Sequence, residues 1–169
     1  MNKTSALLAA ALLTLGAATG SAKSFVIPHV LEKQGTIQTT QDTFDTNIIF
    51  TYTGGLPGLP KGSRKGVDID LYLYDDTGAP LQAKGGNDVC NPCSYNLSSA
   101  NRKVSICVDD LITAAGGFEN ANVITGFAVI IVHGDANLLN MQGFVVNAHT
   151  GPFDISVFGF NPQPIGAAP

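Results

Sequence analysis

Hydrophobic and polar positions alternate along most of this chain. The clearest case is "VDIDLYLYDDTG", residues 67–78. Val67, Ile69, Leu71 and Leu73 fall on one side, and Asp68, Asp70, Tyr72 and Tyr74 on the other. Strict period two over eight residues predicts a half-buried strand. The "DDTG" that follows supplies a tight turn, with Asp at its start and Gly where a left-handed backbone is needed.

Other runs carry the same period less cleanly. "NIIFTYT" (47–53) is β-branched and aromatic and stops at "GGLPGLP". "RKVSICVD" (102–109) puts Val104, Ile106 and Val108 on one face. "ITGFAVIIVHG" (124–134) is apolar on both faces, as a central strand is. "MQGFVVNAH" (141–149) and "FDISVFGF" (153–160) complete the strong set; "FVIPHVLE" (25–32) and "GTIQTT" (35–40) are weaker. Pro28 confines its strand to an edge or a bulge, because proline has no N–H to give to a ladder. One helix is predicted, "DDLITAAGG" (109–117), with Asp109 as N-cap and Gly116 or Gly117 as its stop. Seven to nine short strands, closely spaced turn residues and almost no helix predict an all-β fold. It is a single antiparallel β-sandwich, immunoglobulin-like or jelly-roll-like, with a closed β-barrel as the alternative.

The N-terminus changes the compartment. "MNKTSALLAAALLTLGAATGSAKS" places one lysine before an Ala/Leu-rich run and ends in Gly20-Ser21-Ala22, the layout of a secretory signal. The apolar run is short of the roughly 20 residues that cross a bilayer. Residues 1–22 are thus read as a signal peptide. Residues 23–169 are read as one domain of 147 residues with a proline-rich tail at 161–169, secreted or periplasmic. Without Lys3, eight basic residues face 13 acidic ones, a formal charge of −5. The densest basic run is "KGSRK" (61–65), too little for a nucleic-acid footprint. Charged residues form 13% of the chain, against about 25% in an average domain; Gly, Thr, Ser and Asn fill the gap, as in exported β-proteins.

Three cysteines are present, two of them in "CNPC", Cys90–Cys93. Four-ligand zinc would need Cys107 and one of His29, His133 and His149 to converge with them, and no second Cys-x-x-Cys or paired histidine spacing exists. A thioredoxin-like site would need a helix after the motif, where "SYNLSSANRK" is a poor helix former. Asn91 and Pro92 are turn formers, and a four-residue turn brings its end Cα atoms within disulfide range. In an oxidising compartment this predicts a Cys90–Cys93 bridge. Proline in the third place of the turn calls for a cis Asn91–Pro92 bond or an extended Asn91. Cys107 is left as a free, small hydrophobe; its pairing with Cys90 or Cys93 is the competing arrangement.

Candidate chemistry is sparse. The nucleophile elbow, the Ser-x-x-Lys motif and the phosphate-binding glycine loop are all missing, and no cofactor motif occurs. Glu32 and Glu119 are the only glutamates, and nothing marks a glycosidase pair. His133 near Asp135 and His149 near Asp154 are the histidine–carboxylate neighbours from which a metal or acid–base site could be assembled. Cys107, His133, Met141 and His149 are too scattered for a blue-copper loop. The stripe Asp68, Asp70, Tyr72, Tyr74 reads first as the solvated outer face of a strand. As a ligand face it offers rings for stacking and carboxylates for hydrogen bonds or calcium. The reading these features support is an exported, non-enzymatic binding or surface-structural module. Its partner classes are a carbohydrate, another cell-surface component or a second copy of itself. The alternative is a small exported metal-dependent or hydrolytic enzyme using His133 or His149 with a nearby aspartate. The first predicts an exposed aromatic patch or an open strand edge, the second a histidine bonded to a carboxylate inside a pocket.

Overall fold

The computed structural model describes residues 22–32, 43–58, 66–118, 124–148 and 155–165. Nine strands and one α-helix succeed one another in these segments: β1 (Lys23–Glu32), β2 (Thr43–Tyr52), β3 (Val67–Asp75), β4 (Cys93–Leu97), β5 (Lys103–Cys107), α1 (Val108–Ala115), β6 (Ile124–His133), β7 (Leu139–Ala148), β8 (Ile155–Phe160) and β9 (Gln163–Ile165). They form two antiparallel sheets, ordered β4-β3-β6-β1-β9 and β5-β2-β7-β8. Neither sheet closes on itself, so the architecture is a β-sandwich and not a barrel.

Period two is what makes this work. Val67, Ile69, Leu71 and Leu73 are all buried on the inner face of β3, and Ala128, Ile130 and Val132 are buried on the inner face of its neighbour β6. From the facing sheet come Ile48, Phe50 and Tyr52 of β2. Each fully buried aliphatic side chain here contributes roughly 1.5–3 kcal/mol relative to exposure. β6 is the central strand its sequence predicts, paired along its whole length with β3 and β1. Pro28 sits at a register break between Ile27 and Val30, the bulge its missing N–H calls for. The turn after β3 also follows its sequence. The Asp75 carboxylate accepts from Thr77 N–H (2.8 Å), Thr77 Oγ1–H (2.6 Å) and Ala79 N–H (3.0 Å), and Gly78 takes the left-handed backbone at φ 84°. Those donors hold the Asp75 carboxyl below its ordinary range, the Thr77 hydroxyl foremost.

Several details differ from the sequence expectation. Val108 is the first residue of α1 and does not continue β5; Cys107, with no side-chain cap bond, holds the N-cap position in place of Asp109. The helix stops at Gly116 as expected, at φ 134°. β4 is a strand where the composition of "SYNL" gave no signal: its edge position asks only that Leu97 be buried, and the rest is ordered by pairing with β3. β9 converts part of the expected tail into a three-residue strand against Ser24–Val26. The expected strand at 35–40 lies outside the described residues.

Residues 79–92 are more than a connection. Leu81, Ala83, Val89 and Cys90 are buried, and the segment is tied down by Leu81 N–H to Leu73 O (2.8 Å), Val89 N–H to Leu81 O (2.8 Å) and Leu73 N–H to Cys90 O (3.2 Å). With α1, to which Asn87 Nδ2–H is bonded at Ala115 O (2.8 Å), it caps one end of the sandwich. Cys90 and Cys93 lie at disulfide distance, Cα to Cα 4.6 Å, across a cis Asn91–Pro92 bond, and Cys107 is free.

Candidate functional site

The outer face of the five-stranded sheet gathers the residues that carry chemistry. Strand alternation turns Asp68, Asp70, Tyr72 and Tyr74 outward because their neighbours fill the core. Register then decides what stands beside them. Asp68 is flanked by Asn96 on β4 and His133 on β6, Asp70 by Ser94 and Ile131, Tyr72 by Val129, and Tyr74 by Phe127.

Two regions result. At one end is a hydrogen-bonded polar patch. Ser94 Oγ–H donates to Asp70 Oδ1 (2.6 Å), His133 Nε2 meets Asp70 Oδ2 (2.8 Å), and Asn96 Nδ2–H donates to Asp68 Oδ1 (2.6 Å). The Ser94 hydroxyl, with His133 second, holds the Asp70 carboxyl below its usual range. The His133 side chain is 46% exposed, so this patch is open to solvent. At the other end is an aromatic row. Tyr72 and Tyr74 stack with centroids 6.4 Å apart at 12°, and Tyr74 stacks on Phe127 at 5.3 Å and 21°. All three rings are half-buried, as are Val129 and Ile131, which continue the apolar strip across β6.

The bonding order limits the chemistry. Asp70 lies between Ser94 and His133, so the carboxylate, not the imidazole, receives the serine proton donor. A nucleophilic serine needs its base adjacent and the acid behind that base; this trio has the order reversed. His133 is bonded to Asp70 rather than to Asp135, whose side chain instead accepts from Asn137 N–H (3.0 Å) and caps a 3-10 turn at Ala136–Leu138. The side chain of His29, and His149 and Asp154 altogether, lie outside the described residues. Among the described residues, no group of three or more His, Cys, Asp and Glu side chains is arranged to hold a metal ion.

A second locus, which the sequence reading passed over, lies at the capped end. Glu32 is only 1% exposed. Its Oε1 accepts from Thr46 N–H on the facing sheet (2.6 Å), and its Oε2 is buried with no hydrogen-bond partner among the described residues. Burial, aided by the charges of Asp45 and Asp109, pushes this carboxyl up to about 9, so it is a neutral acid at pH 7. Nearby, Cys107 Sγ–H donates to Asp45 Oδ1 (3.1 Å), while Asn47 Nδ2–H donates to Asp45 Oδ2 (2.9 Å). Burial, with Asp45 adding to it, pushes the Cys107 thiol up to about 12. Burial also raises the Asp109 carboxyl. One signal was available: Val30 and Glu32 share a face in an alternating strand, which aims a carboxylate at the core.

Comparison of the chain with protein-family models, curated proteins and solved structures finds no match. The functional reading therefore stands on the geometry alone.

Proposed function

We propose that this protein is an extracytoplasmic, non-enzymatic binding module whose ligand face is the outer surface of the five-stranded sheet, and that its ligand is a polyhydroxylated chain such as an oligosaccharide. One observation carries the reading: a stacked aromatic row, Tyr72–Tyr74–Phe127, lies directly beside an ordered patch of carboxylate, amide, hydroxyl and imidazole groups. Sugar rings present apolar C–H faces and rows of hydroxyls. Aromatic rings bury the former, and carboxylates and amides bond the latter. Asp68 and Asp70 are already positioned by Asn96, Ser94 and His133, so little side-chain freedom is lost on binding. Export is supported by the signal-like first 22 residues together with a cysteine pair at bonding distance. The reversed Ser94–Asp70–His133 order favours binding over hydrolysis.

The test is a glycan array probed with the mature protein, followed by titration of the retained oligosaccharides. The chain has no tryptophan, and two of its four tyrosines, Tyr72 and Tyr74, lie on this face, so a change in tyrosine emission that is lost in the Tyr72/Tyr74 variant reports on it. Replacing Tyr72 and Tyr74 by alanine together is expected to weaken binding by about tenfold or more, with an unchanged circular dichroism spectrum. An array with no retained glycan, or a double variant that binds as well as the parent, would refute the proposal.

A further inference from the structure

Among the described residues, the β8 edge of the four-stranded sheet is left unpaired. β8 is the last strand on that side. One of its edges pairs with β7 over Ile155–Phe160, and the other pairs with no described strand. Two of its apolar residues are exposed, one on each face. Val157 is 61% exposed on the outer face, and Phe158, opposite buried Val145 and so turned toward the core side, is 60% exposed. Phe158 forms a rim of an apolar groove of about 440 Å³ that runs between the sheets past Val30, Phe44 and Phe160. The carboxylate at that groove, Asp76, is bonded by the Thr125 hydroxyl.

Edge strands are ordinarily shielded by lysine, proline or an inward charge, because an open ladder invites another strand. Ile155–Phe160, "ISVFGF", has none of these. The surrounding charge says which partner it suits. From Ala136 to Pro169 the sequence has a single charged residue, Asp154, together with one histidine, His149; all nine basic and the other 12 acidic residues precede Ala136. A second copy carries the same net negative charge. It meets repulsion at the Asp68/Asp70 face and at the acidic capped end, and least of all along β8. A basic partner would be drawn to those other surfaces instead.

We infer that β8 is a self-association edge, across which two copies pair antiparallel to join their four-stranded sheets into one of eight strands. This does not rest on the ligand-face reading, because β8 belongs to the other sheet and the outer face of the five-stranded sheet stays free. A two-fold axis through the joined sheet keeps outer face with outer face. One residue near the middle of β8 must then sit opposite its own copy, and that residue is Val157 or Phe158. In either case a charge at position 157 is brought close to the same charge on the second copy.

The experiment measures the mass of the full mature chain by sedimentation equilibrium over a rising concentration series, for the parent, Val157→Lys and Val157→Thr. Val157 projects away from the core, so neither substitution disturbs folding, and matching thermal melts verify this. The parent is expected to pass from one copy to two. Val157→Thr, a good strand former, should follow it, and Val157→Lys should raise the dissociation constant by about tenfold or more. Three results would overturn the inference: a parent that stays at one copy throughout, a Val157→Lys protein that dimerises like the parent, or a dimer that keeps double mass on a denaturing, non-reducing gel and so is bridged through Cys107.

Discussion

At the scale of single residues, Glu32 makes the sharpest prediction. Its carboxyl has an ordinary value of 4.5 and is held near 9 in the folded chain. The folded state therefore binds a proton that the unfolded state has released. The stability Glu32 contributes is fully present below about pH 4.5 and is lost as pH rises toward 9, at about 1.4 kcal/mol per pH unit. Glu32→Gln keeps an acceptor for the Thr46 N–H and cannot ionise. Parent and variant should unfold alike near pH 4. The variant should become progressively more stable above it, a difference measured by denaturant unfolding across pH 4–9. Equal curves at pH 8 would mean that Glu32 is not held neutral.

Among the elements, the close approach of β6 to its neighbours is the most exacting feature. Gly126 pairs with Val30 on one side and Asp75 on the other, and a Cβ there would land on the Tyr74 carbonyl oxygen. Gly126→Ala is expected to cost about 1–3 kcal/mol, since a backbone carbonyl in a ladder cannot move aside as a side-chain tip can. Gly159→Ala meets nothing within 4 Å and is the control, expected to unfold close to the parent. Most of this level could be read from sequence. β3, β6 and β7 announce themselves by alternation or by apolar length, and α1 by its glycine stop. β4 and β9 do not, because five and three residues at a sheet edge bury too little to impose a period; the partner strand orders them. The N-cap was missed for a related reason. Asp109 has the right chemistry, but chain direction out of β5 starts the helix at Val108, where a buried aliphatic is wanted.

For the whole molecule, the prediction concerns processing and thiol state. Intact mass of exported protein should lack residues 1–22 and be lighter by two hydrogens than the reduced form. Alkylation of the native protein at neutral pH should leave Cys107 unmodified, because its thiol is pushed up to about 12; denaturation should expose it. Full-length material with three alkylated cysteines would contradict both expectations. Among the described residues no helix is long and apolar enough to cross a membrane.

The sequence by itself determined the all-β class, the inner and outer faces of β3, and the turn that brings Cys90 to Cys93. These depend on neighbours two or three positions apart, and local spacing is what a sequence displays. That two open sheets form a sandwich and not a barrel was decided by strand order. Only the tertiary structure decided that Ser94, Asn96, Phe127 and His133 stand beside the Asp68–Tyr74 stripe, that Asp70 separates serine from histidine, and that Glu32 is sealed between the sheets. Those contacts are set by strand order and register between segments 14 to 63 residues apart. No period along one strand records which strand will lie next to it.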